Sequence, residues 1–171
     1  NPDIEIVLNL TPPKAHHEIA IATLSAGKHA YSEKPFGVDT DQAAQVMALE
    51  TADIAALSTT QVRAIETADL AKLSTAQVVA LTSGQVEALT TAQVAALTTA
   101  QVAALAPAKL ALMSSAQIVA LSTEQVAALS TAQVAALTTA QVRKIEVEDI
   151  AALTTDQVVA LTTAQVAALT N

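Results

Sequence analysis

The stretch LTTAQVAALTTAQVAAL, residues 89–105, states the same eight residues twice and then begins again. Read outward in both directions, the pattern runs from Leu49 to Ala168. These 120 residues divide into fifteen octads with no insertion. Numbered from its leucine, the octad is L-T-T-A-Q-V-A-A. Position 1 is Leu, Ile or Met in all fifteen, and position 6 is Val, Ile or Leu in all fifteen. These two positions are the candidate core.

One continuous helix does not suit this period. Eight residues turn about 800°, so a Leu/Val stripe drifts by about 80° per octad. It winds around the helix instead of facing one partner, and it matches no ordinary coiled-coil repeat. The octad also carries its own start signal. Ser or Thr at position 2 is followed by Gln at position 5 in eleven octads. That spacing is a capping box, in which the hydroxyl and the Gln side chain each satisfy an orphan N–H at a helix start. Position 1 is then N′ and position 6 is N4, the two residues of a hydrophobic staple.

The departures follow the same logic. Glu50, Glu66 and Glu146 stand at position 2, and in all three octads position 5 is Asp: Asp53, Asp69 and Asp149. Arg63 and Arg143 lie three residues before Glu66 and Glu146, a spacing that allows ion pairs. Ala106 is matched with Lys109. Pro107, the one proline of the tract, falls at N1, where its missing N–H costs nothing. Nine of the tract's ten acids lie at positions 2 to 5, while Arg63, Lys72, Arg143 and Lys144 lie at positions 7 or 8. Acids at the start and bases at the end of every unit complement a separate dipole in each. The expectation is a short capped helix per octad, about 10 Å long. Helices that short do not stand alone. They must bury positions 1 and 6 against neighbours, as an α-solenoid with two or three helices per turn.

The chain before the octads is different text. All three histidines (His16, His17, His29), both aromatics (Tyr31, Phe36) and four of the five prolines precede residue 43. DIEIVLNL (3–10) reads as a buried strand, Lys14 to Ala26 as a helix stopped by Gly27, and KHAYSE (28–33) as a second strand. Asp39 with Gln42 caps a further helix through Ala48. The order β-α-β-α implies a parallel, Rossmann-like fragment. The fold class expected is therefore mainly α: residues 49–171 an octad-repeat α-solenoid, and residues 1–48 a truncated dinucleotide-fold-like fragment.

Residues 9–35 resemble the Gfo/Idh/MocA family of nicotinamide-dependent sugar oxidoreductases. The resemblance rests on Thr11-Pro12-Pro13, His16, Glu18-Ile19, Ala26-Gly27-Lys28-His29 and Glu33-Lys34-Pro35, all in register. It implies that the strand end at Asn9, Thr11 and Pro12 borders the dinucleotide. It also implies that Glu33, Lys34 and Pro35 lie near the nicotinamide and substrate, with Lys34 as the catalytic candidate. The departures are large. The three glycines, Gly27, Gly37 and Gly84, form no G-x-G-x-x-G phosphate cradle. The acidic residue for the ribose is missing, and octads stand where a substrate domain with its catalytic His belongs. The expectation is a non-enzymatic chain without cofactor. Adjacent His16 and His17 point to different faces, which disfavours a metal pair. At the junction, AQVMAL (44–49) already matches AQVAAL in register. Recombination at a short match and artificial composition both produce such a join, so a natural, chimeric or synthetic origin stays open.

Composition narrows the functional classes. The chain has 171 residues, 52% of them hydrophobic and 1% aromatic, with a net charge of −8 and an isoelectric point near 4.6. That charge disfavours nucleic acid. With no cysteine, there is no disulfide or thiolate zinc site. No apolar run reaches the roughly 18 residues of a membrane span. The start, NPDIEIVLNL, lacks Met and a basic region, so a signal peptide is not expected. LTTDQVVAL (153–161) is similar to the opening of a TAL-effector repeat, but the period and the charge do not fit DNA reading. The octads also resemble L-[ST]-T-x-Q-V tracts of large bacterial surface and secreted proteins, a resemblance that implies a spacer and no chemistry. The reading is a structural repeat scaffold or spacer; the alternative is an oxidoreductase fragment that needs another chain to complete its site. Two open strand edges at the N-terminus require pairing across a dimer or leave residues 1–38 poorly ordered, so self-association or a protein partner is kept open.

Overall fold

The computed structural model describes residues 50–169 in full and the backbone of residues 6–9 and 29–32. Every octad in the described tract begins a new helix. Fifteen helices of four to seven residues follow one another, from α1 (Thr51–Ala56) to α15 (Thr163–Leu169). The chain is mainly helical. All eleven Ser/Thr capping boxes form. In the octad of Leu97, the Thr98 N–H donates to Gln101 Oε1 at 2.7 Å, and the Gln101 N–H donates to Thr98 Oγ1 at 3.2 Å. The same reciprocal pair recurs at Ser58, Ser74, Thr82, Thr90, Ser114, Ser122, Ser130, Thr138, Thr154 and Thr162.

The turn between helices needs no glycine. Leu97 closes one helix at φ −60°, ψ 143°, and Thr98 opens the next at φ −73°, ψ 158°. Two successive residues near polyproline II values swing the chain out of one helix and into another. The Leu97 N–H still reaches back to the Val94 carbonyl at 3.2 Å, a three-residue bond that tightens the last turn. Pro107 stands at N1 of its helix, as its missing N–H allows.

Packing joins each helix to the one three units away. α1 packs on α4 (Thr75–Ala80), α4 on α7 (Thr99–Ala104), α7 on α10 (Thr123–Ala127) and α10 on α13 (Val147–Ala151). The remaining helices repeat this in two further columns, so the solenoid has three columns of five short helices. Of the two arrangements the octad length allows, three per turn is the one found. Positions 1 and 6 form one continuous core from Ile54 to Val142. Burying a Val or Leu stabilises the fold by roughly 1.5–3 kcal/mol, so the core is built of many equal, moderate increments.

The acidic octads depart from expectation in one respect. In the first acidic octad the capping box still forms between Glu50 and Asp53, with Asp53 Oδ2 accepting from the Glu50 N–H at 3.1 Å. Glu66 and Glu146 accept no capping hydrogen bond through their side chains. Among the described residues, Arg63 and Arg143 make no ion pair with them either. The ion pair present is Lys72 Nζ to Asp69 Oδ1, 3.2 Å. The i,i+3 pairing is therefore made within one octad, whereas the Arg–Glu pairs would have to cross the extended turn.

At the N-terminus, β1 (Ile6–Asn9) and β2 (His29–Ser32) pair in parallel, Ile6 opposite His29 and Asn9 opposite Ser32. The helices expected at 14–26 and 39–48 lie outside the described residues.

Two outcomes test this architecture. Deleting Leu97–Ala104 removes one whole unit and leaves the neighbouring faces of the same type. Deleting only Leu97–Ala100 breaks a capping box and moves positions 1 and 6 out of register. Thermal melts followed by circular dichroism should show the four-residue deletion as the more destabilising; the reverse order would contradict the octad as structural unit. Gln101→Met preserves side-chain length but removes every polar contact of that side chain. It should cost about 1–3 kcal/mol, the range for buried groups left without hydrogen-bond partners, read as a fall in the urea midpoint.

Candidate functional site

A six-residue helix is almost all ends. An α-helix leaves four N–H groups and four carbonyls without intrahelical partners, so such a helix has few bonds of its own. The capping boxes serve the N–H side. The carbonyl side is served from another turn, by the same glutamines.

Gln101 shows the geometry. Its Oε1 is held by the Thr98 N–H, and this aims Nε2 across the turn. Nε2 donates to the Leu70 carbonyl at 3.0 Å and to the Leu73 carbonyl at 2.6 Å, 31 and 28 residues earlier. Leu70 is position 6 of its octad, and Leu73 is the leucine that follows. One buried amide thus starts a helix and closes the end of another. Gln85, Gln93, Gln117, Gln125, Gln133, Gln141, Gln157 and Gln165 repeat both bonds at the same separations. Each of the nine is at most 3% exposed. Both amide hydrogens and the amide oxygen have partners, so a polar side chain in the core carries no desolvation deficit.

The residues that replace Gln show what the position requires. Lys109 Nζ donates to the Val79 carbonyl at 2.6 Å, 30 residues back, and so supplies a donor by other means. Asp149 is buried and its carboxylate can only accept; it takes a hydrogen bond from Thr123 Oγ1 at 2.8 Å. Asp53 and Asp69 belong to the first four units, before which the sequence has no octad four units back to receive a donor. On the surface, Ser122 Oγ donates to Glu124 Oε2 at 2.8 Å and holds that carboxyl below its usual pKa.

The capping role of Gln was readable from spacing; its second role was not. A signal for it existed. A capping box accepts Glu as readily as Gln, and the helix dipole favours the acid at that position. Yet all eleven Ser/Thr octads carry the amide. A residue chosen against the dipole implies a need for N–H donors.

Of the residues implied by the oxidoreductase resemblance, Asn9 ends β1 opposite Ser32. Thr11, Pro12, His16, His17, Glu33, Lys34 and Pro35 lie outside the described residues. Among the described residues, no group of three His, Cys, Asp or Glu side chains could hold a metal ion. No described helix is long and apolar enough to cross a membrane.

Comparison with known proteins gives two family matches, which overlap at residues 46–61. Residues 1–61 match the oxidoreductase family with the NAD-binding Rossmann fold, Gfo/Idh/MocA. The last part of that match, residues 50–61, is folded as octad helices. No curated protein and no solved structure matches the chain. The second family match is the ALTTAQ repeat, found in overlapping copies at 46–83, 62–99, 95–131, 120–145 and 142–171. These six letters span position 8 to the glutamine of position 5, the segment in which one helix ends and the next is capped. With that match running from residue 46 to residue 171, the chain belongs to the ALTTAQ repeat family.

Proposed function

We propose that this chain is a non-enzymatic structural scaffold or spacer, its N-terminal segment a vestige of a dinucleotide-binding fold. The observation that carries this reading is the employment of the octad's polar groups. The hydroxyl of position 2 caps a helix, and the amide of position 5 caps two. The two polar side chains that recur through the octads are thus already bonded to backbone. The octads also contain no His, Cys or aromatic residue. They offer neither a nucleophile–base pair nor the aromatic anchors that dominate binding hot spots. What the octads supply is length at constant cross-section, and stability that grows by neighbour contacts.

A second reading is favoured by one observation, the family match of residues 1–61 together with the parallel pairing of β1 and β2. In that reading the segment is a Gfo/Idh/MocA-like piece that forms a nicotinamide site with another chain. It faces the absence of any G-x-G-x-x-G run in the sequence. Backbone N–H groups at such a turn hold the pyrophosphate, and octads have no equivalent.

Titration with NAD(H) and NADP(H), followed by calorimetry and nicotinamide fluorescence, separates the two. The expected outcome is no binding at micromolar concentration. Micromolar binding that Lys34→Ala abolishes would overturn the scaffold reading.

A further inference from the structure

The links between turns are not all alike. Counting octads from Leu49, the fifth to the fifteenth each follow a described helix end by four units. Nine of these eleven reach that end through glutamine, and Lys109 reaches it once, at the Val79 carbonyl. Octad thirteen (residues 145–152) carries Asp149 instead. At the separations of 31 and 28 residues that the linking glutamines use, its acceptors would be the Ile118 and Leu121 carbonyls. A carboxylate has no hydrogen to give them. The Ile118 carbonyl keeps the short-range bond from the Leu121 N–H, 3.1 Å. Among the described residues the Leu121 carbonyl accepts no hydrogen bond, although Leu121 is only 4% exposed.

The same octad is also weakly started. Asp149 Oδ1 accepts from Thr123 Oγ1, 26 residues back, at 2.8 Å. The carboxylate is engaged with the earlier turn, and the reciprocal pair that Glu50 and Asp53 make is not made by Glu146 and Asp149. Octad thirteen therefore lacks both bonds of the capping box and both amide donors, and it gains one hydroxyl bond. Its neighbours lack nothing. In octad twelve, Thr138 and Gln141 cap each other, and Gln141 reaches the Leu110 and Met113 carbonyls at 2.9 and 2.7 Å. In octad fourteen, Thr154 and Gln157 do the same, and Gln157 reaches the Val126 and Leu129 carbonyls at 3.3 and 2.6 Å. The deficit is confined to one unit between two complete ones.

The geometry points to octad thirteen as a joint in the array, a unit that lifts from its turn while octads twelve and fourteen stay seated. Segments open locally according to the bonds they lose on leaving the fold, and this one has the fewest polar bonds to lose. Opening also relieves a cost of the closed state, because the Leu121 carbonyl then reaches water. The capped helices of octads twelve and fourteen hold the segment at both ends, so it opens as a loop within the array. The inference concerns the array alone and stands apart from the scaffold reading. Hydrogen exchange judges one and the nicotinamide titration the other.

Peptide-resolved hydrogen exchange of the full chain tests it. Octad thirteen is expected to exchange faster than both octad twelve and octad fourteen. Exchange that rises steadily from octad twelve through fifteen is ordinary fraying, and it would overturn the joint. Glu146→Thr with Asp149→Gln writes the common octad at this position and supplies the capping box and both donors. It should slow exchange in octad thirteen by at least about tenfold, as several restored hydrogen bonds imply, and leave octad twelve unchanged. Equal exchange before and after this double substitution would overturn the proposal. The converse pair, Thr138→Glu with Gln141→Asp, should create a second fast segment at octad twelve, with circular dichroism checking that the helices persist; no change there counts against the joint as well. Calcium gives a further outcome. If calcium slows octad thirteen in the unaltered chain and not in the Thr/Gln variant, the carboxylate and the free carbonyl belong to a cation site, and the joint is overturned.

Discussion

The bond from glutamine Nε2 to a carbonyl 28 to 31 residues away is the constraint on which this fold depends. Helices of about six residues cannot satisfy their own backbones. Those at the core also cannot leave polar groups unpaired, since each costs roughly 1–3 kcal/mol. The octad meets both conditions with one side chain. Its oxygen is fixed by the N-cap N–H, which orients the amide hydrogens toward the preceding turn. Local capping and long-range packing are thereby the same event. A helix that is not properly started cannot close its neighbour's end.

This coupling explains why the period admits no insertion through fifteen units. One added residue displaces the amide from the carbonyl pair it must reach and rotates position 6 out of the core. It also explains where substitutions occur. Positions 3, 4 and 7 point largely to solvent, and there the sequence varies among Thr, Ser, Pro, Val, Ala, Gly, Glu, Asp and Arg. Position 5 changes only under conditions. Lys109 keeps a donor, Asp149 finds a donor in Thr123, and Asp53 and Asp69 fall in the first four units.

The chain joins two kinds of text that obey different rules. Residues 1–61 match an oxidoreductase family with an NAD-binding Rossmann fold. Residues 46–171 match the ALTTAQ repeat. The overlap at 46–61 begins within AQVMAL (44–49), which differs from the octad's AQVAAL by one letter. From residue 50 onward the structure follows the octad rule, since Ile54 and Leu57 already belong to the continuous core.

Local chemistry was legible in the sequence because it acts over three or four residues. Capping boxes, the staple positions, Pro107 at N1 and the core at positions 1 and 6 all follow from spacing within one octad. The amide retained at every Ser/Thr octad carried a further message, a demand for donors, but nothing within eight residues says where the acceptors lie. Placing them takes the distance between turns, and that distance follows from how the Leu–Thr swing at each junction sums over successive helices. Small changes in those dihedrals close the ring after two units or after three. Only the packed structure decides this, and with it that the amide of one unit caps the helix four units before it. For the same reason identical letters can meet different surroundings: Val102 and Val166 both stand in LTTAQVAAL, yet one is buried and the other half exposed. Sequence determined the unit, and tertiary structure decided which unit it meets.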